Sequence, residues 1–207
     1  GPEISLNYKL FFDNNLIDYA ILNEGEESII QLLHNERNKI PLDTIKGIAY
    51  KISSKIIITK KGALIKDLDK LPIPDYTPFM INKYPLKIIP IFSSRGCTFH
   101  CNFCWKSLSY RTKSVNKLIH EMELQSKRYK IKNFYFSEDI TNGNISLFKE
   151  LCNGLIEKRM NYNMFAPIKP LNMNKKIIQL SAKAGFKFFF LGIESGSQKI
   201  LNNMHKQ

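Results

Sequence analysis

Ser93-Ser94-Arg95-Gly96-Cys97-Thr98-Phe99-His100-Cys101-Asn102-Phe103-Cys104-Trp105 places three of the chain's four cysteines within eight residues, spaced C-x3-C-x2-C. An apolar run, Ile88, Ile89, Pro90, Ile91 and Phe92, leads straight into it. Three thiols on one short loop read most simply as ligands of one metal centre. A disulfide would leave one thiol over, and three free thiols so close together invite oxidation. The number of ligands bears on the metal. Structural zinc closes a tetrahedron with four ligands. A cluster of four irons and four sulfides takes one thiolate per iron, so three thiolates leave one iron open. Zinc would need His100 or His120 as a fourth ligand. His100 adjoins Cys101 and is poorly placed to converge with it, and His120 lies inside a helix pattern. Both metals stay in play on spacing alone.

Outward from the loop, strand and helix patterns alternate. Apolar or aromatic runs at 88–92, 134–136, 162–166 and 186–193 suit buried strands, with Pro90 an irregularity because proline lacks a ladder donor. Between them run three helical stripes. Val115, Leu118, Ile119 and Met122 follow Ser114, a candidate N-cap. Ile145, Phe148, Leu151, Cys152, Leu155 and Ile156 form the second, in which Cys152 reads as a core thiol. Ile177, Leu180, Ser181 and Ala184 form the third, closed by Gly185. Such alternation predicts parallel strands joined by right-handed crossovers. In folds of that kind the chemistry sits at the C-terminal strand ends. Those ends here carry Ser93 to Cys104, Ser137-Glu138-Asp139, Pro167-Ile168-Lys169 and Glu194-Ser195-Gly196-Ser197. Polar or ligating groups from different strands are thereby expected on one rim. Arg111 and Lys113 read either as contacts to an anion or as solvated positions before a helix. Gly192 to Gly196 is no nucleophile elbow, because Glu194 stands where that turn requires Ser.

The cysteine loop resembles that of the radical S-adenosylmethionine (radical SAM) enzymes, whose C-x3-C-x-aromatic-C pattern matches Cys97, Cys101, Phe103 and Cys104. The resemblance implies a 4Fe-4S cluster on the three cysteines, with S-adenosylmethionine chelated at the open iron and cleaved to a 5′-deoxyadenosyl radical. It implies that Phe103 packs near the adenine and Trp105 beside the cluster. It further implies that an acidic residue after the second strand, Glu138 or Asp139, holds the methionine amino group. Glu194 would accept from the ribose hydroxyls, and Ser195 would donate to the carboxylate. Phe136-Ser137-Glu138-Asp139 lacks the glycines usual in that acidic motif. The fold implied is α/β, a partial (β/α) barrel of about four strand–helix units preceded by a small α+β segment. The family's six-unit barrel makes this chain an expected fragment, lacking two units after Gln207. A reductant protein such as a flavodoxin or ferredoxin is implied as partner.

Residues 1–66 read as a strand through Ile17 to Leu22, a helix from Glu24 to Arg37, and a hairpin of 45–52 and 55–60 across Ser53-Ser54. The carboxylates Glu24, Glu26 and Glu27 suit a helix start. This segment looks like the tail of the cobalamin-binding domain that precedes many radical SAM domains. The Asp-x-His-x-x-Gly cobalt-ligand motif is missing, so cobalamin is expected only in an intact parent protein. Residues 67–87, with Pro72, Pro74, Pro78 and Pro85, form a linker, and 88–207 the partial radical SAM domain.

A net charge of +13 tempts one towards nucleic acid, but only five of the 31 basic residues are Arg and the lysines are scattered. Dispersed lysine reads as a solvated surface rather than a nucleic-acid face, with an RNA substrate left open. No apolar stretch is long enough for a membrane span. The start, Gly1-Pro2-Glu3, carries no signal pattern, and clustered reduced thiols suit the cytoplasm. The substrate is not legible. A zinc-stabilised binding module and an inactive remnant stand as alternatives.

Overall fold

The computed structural model describes every residue except 39, 105–107, 172 and 207, and the backbone alone at 36 and 38. Trp105 therefore lies outside the described residues. The chain divides into two compact units, Gly1–Lys66 and Asp67–Gln207. Among the described residues no helix is long and apolar enough to cross a membrane.

The first unit opens with α1 (Pro2–Asp13), which the sequence patterns did not anticipate. Pro2 at its first turn is compatible with a helix start, where a missing N–H costs nothing. Its apolar residues are scattered: Phe12 is buried while Leu6 and Leu10 are exposed. β1 (Tyr19–Ile21) is shorter than the strand pattern and buries only Ala20. α2 (Glu26–Asn38) begins on Glu26 and Glu27, as the dipole favours. The hairpin forms from β2 (Ile48–Ile52) and β3 (Lys55–Ile58), turning on Ser53 and Ser54. β2 takes the centre of this antiparallel sheet, in the order β1-β2-β3.

The second unit starts with the proline-rich segment, which forms three single 3-10 turns rather than a loose tether. Side chains substitute for the ladder that proline denies it. The Tyr76 hydroxyl donates to the Pro90 carbonyl at 2.8 Å, and the Tyr129 hydroxyl donates to Asp75 Oδ1 at 2.8 Å. Gln125 Nε2 donates to the Pro74 carbonyl at 2.7 Å. Hydrogen bonds from Thr77 and Tyr129, with the Arg128 charge nearby, hold the Asp75 carboxyl down at about 2.

A parallel four-stranded sheet follows, built of β4 (Ile89–Ile91), then, after a two-residue ladder of β5 (Ser94–Arg95) with β6 (Arg111–Thr112) and a helix α3 (Val115–Tyr129), β7 (Asn133–Phe136). α4 (Ile145–Glu157), β8 (Asn163–Ile168), α5 (Lys175–Ala184), β9 (Phe186–Leu191) and a short α6 (Gln198–Asn203) complete the chain. The order is β4-β7-β8-β9, with every neighbouring pair parallel. Pro90 is tolerated because β4 is an edge, where one side of the strand needs no donor. Ser114 caps α3 by accepting from the Lys117 N–H at 3.2 Å. Gly185 closes α5 at φ +107, where a Cβ would overlap the Tyr162 carbonyl oxygen.

Period-two alternation sorts the sheet's faces. Phe134, Phe136, Met164, Ala166 and Phe186 pack with Leu118, Ile119, Met122, Phe148, Leu151 and Leu155 from the helices. Cys152 is fully buried among them, and burial pushes its thiol up to about 12. Tyr135 alternates to the other face, and a register shift in β9 between Phe186 and Phe188 sends Phe188 and Phe190 there too, where all three stay substantially exposed. The parallel strands are those that the alternation predicted, and the architecture is the partial barrel that the resemblance implied.

Truncating the core tests this packing. Leu155→Ala should cost about 2–5 kcal/mol, because fully buried leucines leave cavities when cut back; a denaturation midpoint unchanged from wild type would contradict it. The Asp75 contacts carry a pH signature. A depressed carboxyl stabilises the fold above its unfolded value of 3.8 and loses that contribution as pH falls through about 2. Asp75→Asn should therefore melt at a lower temperature than wild type at neutral pH, with the gap closing as acid is added.

Candidate active site

Four strand ends meet on one rim, and the cysteine loop is the largest structure there. The loop leaves β4 through Ser93, runs along β5 and returns through β6, so its two stems pair Ser94 with Thr112 and Arg95 with Arg111. The Lys113 N–H donates to the Ser93 carbonyl at 2.8 Å, extending this closure by one bond. Gly96 sits at φ +79 against the returning stem, where a Cβ would overlap the Leu108 carbonyl oxygen. Only glycine fits both demands.

Lys113 is not solvated. Its ammonium meets Glu121 Oε2 at 2.5 Å with both side chains 2% exposed, and lies 3.6 Å from the Phe92 ring centroid. Breaking such a pair would strand a buried charge, so it ties the returning stem to α3.

Glu138 follows β7 and turns back onto the loop's first residues. Its Oε2 accepts from the Ser93 N–H at 2.7 Å and the Ser94 N–H at 2.6 Å. The Ser93 hydroxyl donates to Oε1 at 2.8 Å, and the Ser94 hydroxyl to Oε2 at 3.1 Å. Burial pushes the Glu138 carboxyl up, against the pull of the hydrogen bonds from Ser93 and Ser94. These bonds tie the end of β7 to the entry of the cysteine loop. Its neighbour Asp139 is exposed, and its charge is felt by Cys97 and Cys104.

Cys97 and Cys101 are half-buried and Cys104 is exposed. Burial pushes up the Cys97 thiol, with Asp139 and Cys101 adding to the effect. Burial, then Cys101, Asp139 and Cys97, push up Cys104. Cys97 and Cys104 thus both feel the charge of the neighbouring thiols, which opposes their ionisation. A positively charged iron centre would relieve that opposition. Among the described residues no three His, Cys, Asp or Glu side chains are gathered tightly enough for a single ion. By donor chemistry, three thiolates on one loop suit a cluster that takes one thiolate per iron.

The end of β9 completes the rim. Glu194, at φ +63, accepts from Lys206 Nζ at 2.8 Å. The same ammonium lies 5.5 Å from the ring centroid of Phe103, which is 52% exposed. The Ser195 hydroxyl accepts from the Ser197 N–H at 3.1 Å and so shapes the turn into α6. The far end of α6 grips the cysteine loop, with Asn102 donating from its N–H to the Met204 carbonyl and from Nδ2 to the Asn203 carbonyl, both at 3.0 Å. Cys97, Cys101, Phe103 and Cys104, then Glu138 and Asp139, then Glu194 and Ser195 thus lie on the segments that follow β4, β7 and β9. Lys169, at the end of β8, joins them; pattern reading had placed it there without a role.

The family model described as the radical SAM superfamily matches residues 91–207, more than half of the chain. This protein belongs to the radical SAM superfamily. Members of that superfamily bind a 4Fe-4S cluster and S-adenosylmethionine. The chain is 27% identical over its whole length to an uncharacterised methyltransferase of Pyrococcus horikoshii, of which it spans 47%. It is 23% identical over 92% of its length to the anaerobic magnesium-protoporphyrin IX monomethyl ester cyclase of Synechocystis sp., of which it spans 40%. The chain thus covers less than half of these relatives. Among solved structures, the radical SAM methyltransferase TsrM of Kitasatospora setae superposes on 97% of the chain and 42% of its own, with a TM-score of 0.79 at 14% identity. The cobalamin-dependent radical SAM enzyme OxsB, with aqua-cobalamin and S-adenosylmethionine bound, covers 98% of the chain and 31% of its own at a TM-score of 0.78 and 20% identity. These two likenesses bear on the fold.

Replacing Glu138 by Ala would leave the Ser93 and Ser94 N–H groups buried without acceptors, a loss of about 1–3 kcal/mol for each. The expected result is a lower melting temperature and poor iron uptake although all three cysteines remain; normal uptake would show that the loop does not depend on this carboxylate.

Proposed function

We propose that this chain forms the cluster-binding and S-adenosylmethionine-binding part of a radical SAM enzyme. The observation that carries the reading is the three-thiol loop, fastened to the strand ends by Glu138 on one side and by α6 on the other. Cys97, Cys101 and Cys104 hold the 4Fe-4S cluster. When bound, cluster and cofactor together supply the electron and the carbon–sulfur cleavage that release a 5′-deoxyadenosyl radical.

The chain's own residues place and shield. Asp139, with its carboxylate free of the contacts that occupy Glu138, receives the methionine amino group. Phe103 packs against the adenine. Glu194 accepts from the ribose hydroxyls, giving up its bond to Lys206, and Ser195 stands beside the methionine carboxylate. Holding the sulfonium in one orientation at the open iron is the protein's catalytic contribution, since the cofactors carry the chemistry. A flavodoxin or ferredoxin delivers the electron. The names of the relatives favour methyl transfer or ring closure on a carbon substrate as the outcome. Cobalamin, bound by TsrM and OxsB, would come from outside this chain's own residues, which lack the histidine motif.

Anaerobic reconstitution with iron and sulfide should give a brown protein with about four irons per chain. Dithionite should then release 5′-deoxyadenosine from S-adenosylmethionine. Cys101→Ala should abolish both. A colourless, zinc-loaded protein would replace this reading with a zinc-stabilised module; a full cluster without release would identify an inactive remnant.

A further inference from the structure

Beside the cysteine loop lies a cavity of about 330 Å³, walled in part by Thr98, Phe99, Tyr110, Asn142, Asn144 and Lys169. Lys169 is the charged side chain in that wall and is only 8% exposed. Its ammonium has no hydrogen-bond partner among the described residues. It rests 3.2 Å from the Phe99 ring centroid, a contact that attracts a cation without neutralising it. Burying a cation without an anion is costly, and the backbone leaves this one little room to withdraw. Asn142 accepts from the Lys169 N–H at 3.0 Å and donates to its carbonyl at 2.7 Å, clamping the residue from which the side chain departs.

The rest of the wall suits an anion. Asn144 caps α4, a thirteen-residue helix, so the positive end of its dipole borders the cavity. The Thr98 and Tyr110 hydroxyls and the Asn142 and Asn144 amides are neutral.

We propose that Lys169 anchors an anion subsite on this rim, taking a carboxylate or phosphate carried by a bound small molecule. The inference deepens the reading of the rim as a cofactor and substrate site and rests on it. Two sources offer the same chemistry: the carboxylate of S-adenosylmethionine, or an anionic group on the substrate.

The test compares wild type, Lys169→Met and Lys169→Arg in the anaerobically reconstituted chain, by equilibrium dialysis. The probes are S-adenosylmethionine, its decarboxylated analogue and inorganic phosphate. If the cofactor's carboxylate is the ligand, wild type prefers S-adenosylmethionine over the decarboxylated analogue by about tenfold or more. Lys169→Met then loses that preference and Lys169→Arg keeps most of it. If the substrate supplies the anion, Lys169→Met leaves the ratio between the two sulfonium compounds as in wild type, and phosphate binding weakens by about tenfold or more in that variant. Affinities for all three probes unchanged by Lys169→Met, or neither preference nor phosphate binding in wild type, would overturn the proposal. A shifted cluster potential with unchanged affinities would likewise overturn it, leaving Lys169 as a counter-charge to the thiolates. Failure to build the cluster would strike at the proposed function instead, while the phosphate arm would still judge Lys169.

Discussion

Glu138 ties the end of β7 to the first residues of the cysteine loop, and the geometry of the rim follows from that bond set. Two consecutive main-chain N–H groups and two hydroxyls converge on one carboxylate, from residues 44 and 45 positions away in sequence. A loop of fifteen residues, 96–110, between stems of two could adopt many shapes. Fixing both N–H groups at its entry removes much of that freedom, and buried N–H groups would otherwise be left without acceptors. Gly96 lets the two stems approach, and Lys113 with Glu121 secures the return. The thiols are therefore presented by a loop held at entry, at exit and, through Asn102, at its tip.

The parallel sheet explains why these contacts can exist together. Crossovers through α3, α4 and α5 return the chain to the same end each time, so every strand delivers its C-terminal residues to one rim. Alternation along the strands separates two environments. One face is sealed by the three helices; the other presents Tyr135, Phe188 and Phe190, with ring contacts of 5.8 Å between Tyr135 and Phe190 and 4.8 Å between Phe188 and Phe190. The aromatic face and the charged rim adjoin through β8, whose last residue is followed directly by Lys169.

Pattern reading worked where local physics decides. Ser114 and Gly185 were legible as helix ends because capping depends on a few consecutive residues. It failed at α1, whose apolar residues form no continuous stripe: Leu6 and Leu10 are exposed, and Phe12 is the one buried residue of the helix. The apolar run from Ile17 to Leu22 predicts a strand, yet β1 is a three-residue sheet edge with one buried residue. The proline-rich stretch had no regular pattern to read. Its order comes from Tyr129 and Gln125 on a helix some fifty residues further on.

The trio of thiols, their spacing, and the strand–helix rhythm that carries them to one end of a parallel sheet are legible in the amino-acid order alone, because ligand spacing and hydrophobic period are properties of neighbouring residues. Tertiary structure decided what the acidic pair does. Glu138 and Asp139 are adjacent and chemically alike, but one carboxylate turns back onto two distant N–H groups while the other stays exposed on the side of the cysteines. It also decided that the Lys169 ammonium is enclosed with no hydrogen-bond partner among the described residues while Lys113 meets Glu121, since an ion pair depends on what the fold brings near.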